Sequence, residues 1–269
     1  MKLNLTCVML IMDEITNQDI RKNSIKKLGL LVHRKNGALP TVAVNDNCDI
    51  KAQIRNELAN ALGTDSFHLE QVYTLGDKKY LDLSGIDIIH IGITNNSHIK
   101  QILPEYDLVD VSIKNNVITL GDKTYTYVTK EKVGFNIEYF FETDAKNIQE
   151  DKQLIELLTA WKHMRSHLDN SDILFKFLPS EFTLEDARQV YMLLSERNVD
   201  KSNFHKKITK YCTEVPGKTS GAGYRPSKQY KFNLKLNVMD RLLGQTLAED
   251  MTRVGNEYDL AEKLIRLSG

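Results

Sequence analysis

Two short helical periods followed by a basic, glycine-rich stretch occupy residues 182–232, and this segment restricts the possible folds more than any other. The first period opens at Thr183, whose hydroxyl can accept hydrogen bonds from the first helix amides, with Asp186 at the capping-box position. The second period follows Asp200, a suitable N-cap, and places its apolar side chains along one stripe. Helix, turn, basic helix and basic hairpin is the order of a winged helix-turn-helix domain, so we predict one here.

Positive charge is concentrated in the second helix and the hairpin of this segment. The whole chain is neutral, with 36 Lys and Arg against 36 Asp and Glu, so it has no overall signature of polyanion binding. Residues 201–231, in contrast, carry 8 Lys and Arg and a single acid, Glu214. A solvated basic face is the alternative interpretation. The local excess favours a surface that contacts DNA phosphates.

The pattern also predicts which side chains contact DNA. The second helix would enter the major groove, where Asn203 and His205 would reach base edges. The lysines would contact phosphates, and Arg225 in the wing would enter a minor groove or clamp the backbone. The complete predicted DNA-binding set is Lys201, Asn203, His205, Lys206, Lys207, Lys210, Lys218, Arg225 and Lys228.

The rest of the chain predicts strands interrupted by one amphipathic helix and followed by a longer helix. The amphipathic helix covers 49–62 and ends at Gly63, and the longer helical period covers 148–168. Residues 13–24 are charged and predict a loop or a short helix. Strands are predicted at 3–12, 27–34, 71–75, 86–92, 108–113, 116–120, 123–130 and 135–141, with a hairpin turn at Gly121 and Asp122.

The cysteines and the hydropathy of the chain indicate the cellular compartment in which the protein is expected. Cys7, Cys48 and Cys212 are far apart and form no metal-ligand cluster, which predicts a reduced, cytoplasmic protein without a metal or another cofactor. The apolar stretch 3–12 is too short to span a bilayer and lacks a signal-peptide cleavage pattern, so we expect no membrane association. His163 and His167 have the spacing of some metal pairs but no acidic partner motif, which favours a structural role.

The element order and two local motifs resemble a known family. The strand, Leu39–Pro40, the helix ending at Gly63 and the segment 69–77 (LEQVYTLGD) resemble a Nudix domain of the ADP-ribose pyrophosphatase type. The segments 182–186 (FTLED) and 199–207 (VDKSNFHKK) resemble the C-terminal winged helix of NrtR-type regulators. These are bacterial transcriptional repressors in which a Nudix-like sensor is fused to a DNA-binding domain.

The resemblance implies an α+β chain, with a Nudix-like, mixed-sheet α/β/α sandwich followed by a winged helix-turn-helix domain and a C-terminal helical extension. The partners that it implies are double-stranded DNA and a small nucleotide or sugar metabolite similar to ADP-ribose. A homodimer is expected, because two recognition helices one DNA turn apart match a palindromic site. The expected boundaries are 1–147 for the Nudix-like ligand-sensing domain, 148–178 for a linker helix, 179–233 for the winged helix and 234–269 for the extension.

The resemblance departs from the family pattern at the Nudix signature. Counted back from Gly63, the signature's Arg and its four Glu positions fall on Asn56, Cys48, Glu57, Asn60 and Ala61. Pyrophosphate hydrolysis needs Mg²⁺ or Mn²⁺, which carboxylates hold. Asn60 offers a neutral oxygen and Ala61 offers none, so we predict that the domain is not an enzyme and has no catalytic residues.

A degenerate Nudix-like domain can still bind a ligand. By resemblance, the cleft residues are Arg34, Glu57, Tyr73 and Asp77. The alternatives are a strand-end charge for Arg34, a surface charge for Glu57, a core aromatic for Tyr73 and a turn residue for Asp77. Two other functions stay open: a divergent Nudix hydrolase acting on ADP-ribose or a related dinucleotide, and a protein-interaction module whose basic face contacts an acidic partner.

Overall fold

The computed structural model describes residues 2–15, 25–45, 49–80, 85–133, 137–220 and 227–233. Of the sequence-based predictions, those for Cys48, Arg225 and the extension 234–269 lie outside the described residues, as does the side chain of Lys218. Among the helices in the described part of the chain, none has the length and apolar content needed to cross a membrane.

A nine-stranded mixed sheet forms the first part of the molecule, and its strands follow the order β4-β5-β1-β2-β6-β7-β8-β9, with β3 pairing on β1. The central strand β1 runs parallel to β5 and antiparallel to β2 and β3. The strands are β1 (Leu3–Ile15), β2 (Ile25–His33), β3 (Thr41–Ala43), β4 (His68–Leu75), β5 (Ile86–Asn95), β6 (Tyr106–Lys114), β7 (Val117–Leu120), β8 (Lys123–Val133) and β9 (Ile137–Thr143).

Two helices cover opposite faces of this sheet. Successive side chains of a strand point to opposite faces, so the buried β1 residues divide into two sets. Leu5 and Met9 belong to the core cluster of α1 (Ile50–Leu62), whereas Leu10 belongs to the cluster of α2 (Ile148–His167). The predicted α/β/α sandwich is therefore confirmed.

Local capping signals account for the ends of α1. The Asp49 carboxylate accepts a hydrogen bond from the Lys51 amide at 2.8 Å, which satisfies an amide at the helix N-terminus. Gly63 has a φ of 62°, the left-handed conformation that commonly terminates a helix. The helix predicted at 49–62 is confirmed.

The loop or short helix predicted at 13–24 was wrong at residues 13–15, and its residues 16–24 lie outside the described residues. Strand β1 continues to Ile15, which pairs with Ile25 at the start of β2, so residues 13–15 form a strand rather than a loop. Two charged pairs in this ribbon, Asp13 with Lys27 and Glu14 with Lys26, lie directly opposite each other. Opposite charges on paired strands stabilise a hairpin, and this cross-strand complementarity is not visible in the local sequence.

The winged helix occupies the C-terminal part of the described chain. It contains α3 (Ile173–Lys176), α4 (Leu184–Ser195), α5 (Lys201–Ile208) and the hairpin strands β10 (Cys212–Ser220) and β11 (Ser227–Phe232). The capping box is present in both directions: the Thr183 hydroxyl accepts from the Asp186 amide at 3.1 Å, and the Asp186 carboxylate accepts from the Thr183 amide at 2.9 Å. Both helix predictions for this segment are confirmed.

A continuous hydrophobic core joins the sheet to the winged helix. The cluster that begins on β1 includes Trp161 of α2, Phe177, which follows α3, and Phe204 of α5. At its edge, the Lys26 ammonium lies 3.1 Å from Glu14 and 2.9 Å from Asp186, with only 7% of the Lys26 side chain exposed. The β1–β2 ribbon is thereby attached to the first turn of α4.

Candidate nucleic-acid interface and ligand cavity

Helix α5 has one buried and one exposed face. Phe204 and Ile208 are 1% and 0% exposed and fix the helix on the core. Asn203, Lys206 and Lys210 are exposed on the remaining surface, Lys210 in the 3-10 turn that directly follows α5. Because the apolar stripe orients the helix, these side chains form a solvent-facing surface that can contact an anionic polymer.

Lys201 and His205 of α5, which were predicted to contact DNA, lie next to a carboxylate of α4 instead. Glu185 of α4 lies 3.3 Å from the Lys201 ammonium and 3.6 Å from Nε2 of His205. Burial lowers the pKa of His205, and Glu185 only partly offsets this effect, so the imidazole is neutral at pH 7. Asn203 is therefore the better placed of the two residues predicted to reach base edges.

Two lysines of the hairpin also form ion pairs with acidic side chains of the protein. The Lys228 ammonium lies 2.9 Å from the Glu214 carboxylate across the β10–β11 pair. Lys231 lies 3.2 Å from Glu181, which precedes α4 in the chain. A count of acids within residues 201–231 misses Glu181 and Glu185, because their contribution depends on the packing of the two helices.

Among the residues predicted to bind a ligand, Arg34 and Glu57 contact neighbouring residues at the start of β6 whose side chains point to opposite faces of the sheet. The Arg34 guanidinium lies 2.7 Å from Asp107, and the Tyr106 hydroxyl donates to the Glu57 carboxylate. Burial, with the neighbouring Glu57 carboxylate, raises the pKa of Tyr106, so this hydroxyl remains a proton donor. Stacking of His33 on Tyr106, with ring centroids 4.5 Å apart, completes the group.

Tyr73 lies on β4, an edge strand of the sheet, and Asp77 follows that strand. Strands β5, β1 and β2 separate β4 from β6, a distance of about 19 Å at the usual strand spacing. Tyr73 is 50% exposed, so the alternative interpretation as a core aromatic was wrong. The Asp77 carboxylate accepts from the Lys79 amide at 2.8 Å, as expected for a turn residue. The structure therefore does not bring the four predicted residues together in one site.

The positions aligned with the Nudix signature have different surroundings on α1. Asn60 is exposed, whereas Ala61 is fully buried in the cluster between α1 and β1. Within the described ranges, no group of three or more His, Cys, Asp or Glu is arranged to hold a metal ion.

A cavity of about 330 Å³ lies between the first turns of α2 and the strands β2 and β6–β8. Its apolar wall is formed by Leu30, Val32, Val109, Leu120 and Leu154. At its polar rim, Glu150 accepts from the Tyr125 hydroxyl at 3.3 Å and lies 3.1 Å from the Lys123 ammonium. We call it the α2 cavity. Sequence reasoning missed it, because the residues come from four strands and a helix and form no motif.

Comparisons with known proteins agree with this architecture. Residues 174–232 match the model of the NrtR DNA-binding winged helix domain. The fold resembles that of a MutT/nudix family protein from Enterococcus faecalis, with a TM-score of 0.58, 18% identity, and coverage of 86% of this chain and 88% of that one. No curated protein matches the chain significantly.

Two structures of NrtR from Shewanella oneidensis have the same fold. For NrtR complexed with a 27mer DNA, the TM-score is 0.58 at 14% identity, covering 88% of this chain and 95% of that one. For the second structure the TM-score is 0.56 at 15% identity, covering 86% and 94%. The chain therefore combines a Nudix-like fold with a C-terminal winged helix. Residues 174–232 are thus similar to the DNA-binding domain of NrtR, and the chain shares the fold of the NrtR structures.

Proposed function

We propose that this protein is a DNA-binding transcriptional regulator whose recognition helix is α5. The observation that carries the proposal is the exposed polar and basic surface of α5 within the segment that matches the NrtR winged helix model. In this proposal Asn203 contacts base edges, since a side-chain amide can form two hydrogen bonds with the major-groove edge of adenine. Lys206 and Lys210 contact phosphates, which position the helix without reading sequence.

The remaining members of the predicted set have supporting roles in this proposal. Lys201 and Lys228 pair with Glu185 and Glu214, and each would exchange a carboxylate for a DNA phosphate on binding. His205 would support the surface from the α4 side. Lys207, Lys218 and Arg225 are proposed as further phosphate or groove contacts on the sequence pattern alone.

We further propose that the protein acts as a homodimer in the cytoplasm. A palindromic operator presents two half-sites about one helical turn apart, and a two-fold dimer places one α5 at each. A regulator of bacterial DNA must act in the compartment that contains the DNA. We propose the domain boundaries 1–147, 148–172, 173–233 and 234–269, because α3 and the match at 174–232 move the start of the winged helix from the expected 179 to 173.

The first test is retention of duplex DNA from upstream of the protein's own gene. We expect binding whose logarithmic association constant falls linearly with the logarithm of salt concentration, because contacts to phosphates release counterions. Electrophoretic mobility shifts from 50 to 300 mM salt would measure the slope. Retention of an acidic protein but of no DNA would contradict the proposal and favour the interaction module instead.

The Nudix-like part is proposed to sense a metabolite rather than to hydrolyse one. Asn60 and Ala61 stand where the signature has metal-binding glutamates, which argues against pyrophosphate hydrolysis. The α2 cavity has a suitable size for a small molecule, and its apolar wall is bordered by polar side chains, among them Tyr125 and Gln153, that can make hydrogen bonds. We propose that it holds a nucleotide or sugar metabolite resembling ADP-ribose, with Tyr125 at its rim.

Thermal unfolding with ADP-ribose distinguishes this cavity from the residues proposed by resemblance. A ligand that binds only the folded state adds about 2.7 kcal/mol at about 100 times its Kd, so the wild-type Tm should rise by several degrees. Tyr125→Ala should abolish the rise, whereas Tyr73→Ala, a matched change of an exposed tyrosine on β4, should leave it intact. The reverse pattern would assign the ligand to the β4 edge.

A further inference from the structure

A second cavity of about 330 Å³ lies where the sheet meets the winged helix. Its walls come from α1, the start of β4, the end of β5 and α3, so both parts of the molecule contribute. Phe67, Leu69, Ile93 and Phe175 form its apolar floor and are each less than 10% exposed. We call it the junction pocket.

The polar wall of the junction pocket consists of nitrogen-bearing side chains. Arg55, His68, His98 and Lys176 all line it, and none of the described residues that line it carries a carboxylate. The Arg55 guanidinium lies over the Phe67 ring at 4.9 Å from the centroid and donates to the Asp65 carbonyl at 3.3 Å. This stacking holds the guanidinium plane at the pocket wall, so that ordering it for a ligand costs little entropy.

Carboxylates behind the wall partly offset this charge. Asp172 lies 3.0 Å from the Lys176 ammonium, and Glu70 lies 3.2 Å from Nε2 of His68. Burial lowers the pKa of His98, which leaves that imidazole neutral at pH 7 and able both to donate and to accept a hydrogen bond. The charge facing the pocket is therefore mainly that of Arg55, supplemented by Lys176.

We propose that the junction pocket binds a small aromatic anion, of the class that includes nucleoside monophosphates. Phe67 and Phe175 offer apolar ring atoms for edge contacts with a planar ring, since Arg55 covers a face of Phe67 and Phe232 stacks on Phe175. Arg55 and Lys176 provide the cations for a phosphate, and a guanidinium can contact two phosphate oxygens at once. The volume falls within the usual range for small-molecule sites.

Phe175 connects a ligand in the junction pocket to the hairpin of the winged helix. Phe175 stacks on Phe232 of β11 with ring centroids 4.0 Å apart. An anion held between Arg55 on α1 and Lys176 on α3 would also join the first domain to the winged helix. Resting on the proposed regulatory function, we infer that occupancy of this pocket favours one orientation of the winged helix and so changes DNA affinity.

Isothermal titration of AMP into the full chain, without DNA, tests the site. We expect saturable binding of AMP that depends on Arg55, with adenosine and inorganic phosphate each binding more weakly because each offers half of the contacts. Arg55→Gln and Lys176→Gln should each weaken AMP binding by about tenfold or more, as for loss of a charge-assisted hydrogen bond. Arg55→Lys should recover part of the loss.

A control variant makes the result specific. Lys114→Gln removes an exposed charge from the end of β6 and should leave the AMP affinity unchanged. Absence of binding at millimolar AMP would overturn the proposal, as would loss of binding in Tyr125→Ala but not in Arg55→Gln. If AMP binds as expected while the protein retains no DNA, the regulatory function fails and the binding site stands.

Discussion

Replacing Lys152 by Met should destabilise the protein by about 3–5 kcal/mol at pH 7, the usual result of removing one partner from a buried ion pair. The Lys152 ammonium on α2 lies 3.0 Å from Asp87 of β5 and 2.8 Å from Glu156. The side chains of Asp87 and Glu156 are 1% and 4% exposed. Methionine keeps most of the aliphatic stem but leaves two buried carboxylates without their cation.

The pH dependence of the loss follows from Glu156. Burial raises the pKa of Glu156 from 4.5 to about 6 in the folded protein, against the opposing effect of Lys152. The folded state therefore binds more protons than the unfolded state between these values. This contribution to stability is fully present below about pH 4.5 and is lost as the pH rises through about 6. Without Lys152 the pKa of Glu156 rises further, so the Lys152→Met variant should lose stability with increasing pH more steeply than the wild type.

Urea unfolding between pH 4.5 and pH 8 would measure both effects. Addition of Glu156→Gln to Lys152→Met should restore part of the stability at pH 8 and reduce the slope, because it replaces the unpaired carboxylate by a neutral amide. Lys114→Met, at an exposed position, should change the unfolding free energy by less than about 0.5 kcal/mol. A Lys152→Met variant as stable as the wild type throughout this pH range would show that the ion cluster does not hold α2 on the sheet.

Sequence reasoning predicted the elements whose signals are local. The capping box of Thr183 and Asp186, the N-cap at Asp200 and the left-handed Gly63 each depend on residues within four positions of one another. Such signals do not depend on tertiary packing, because the hydrogen bonds that they predict form within a single helical turn. The resemblance to NrtR-type regulators rested on the same segments, and the family model at 174–232 supports it.

Features that depend on distant residues could not be predicted in this way. Glu185 turns Lys201 and His205 toward α4, and this outcome requires the packing of two helices. The pairing of Lys26 with Asp186 joins residues 160 positions apart in the sequence. Both cavities, likewise, are assembled from separate elements. The sequence identified the charged groups but not their partners, and the partners determine which charges remain available to a ligand.

The path from the α2 cavity to the winged helix passes through α2 itself. Glu150, in the first turn of this helix, lies at the cavity rim. In its last turn, Arg165 lies 2.8 Å from Glu196 and donates to the Ser195 carbonyl at 2.9 Å, at the end of α4. A ligand that moves the first turn of α2 would therefore act on a rigid element attached to α4. Such coupling requires that the ligand bind two orientations of this helix with different affinities.

Replacing Lys206 and Lys210 together by Gln should reduce DNA affinity by about tenfold or more and lower the magnitude of the salt slope by about 2, close to one per phosphate contact. Both residues are exposed on or directly after α5, so the change should leave the core at Phe204 and Ile208 intact. Because phosphate contacts carry no sequence information, operator and random duplexes should lose affinity equally. Fluorescence anisotropy at several salt concentrations would measure affinity and slope together.

Asn203→Ala provides the complementary variant, since a base contact contributes to discrimination rather than to counterion release. It should reduce the preference for operator over random DNA and leave the salt slope unchanged. Lys114→Gln combined with Lys130→Gln removes two exposed charges from β6 and β8 and should alter neither quantity. An unchanged slope in the Lys206 and Lys210 variant, with a wild-type Tm, would exclude α5 as the DNA-contacting helix. A lowered Tm would instead assign these lysines to folding, because loss of a phosphate contact does not affect the unbound protein.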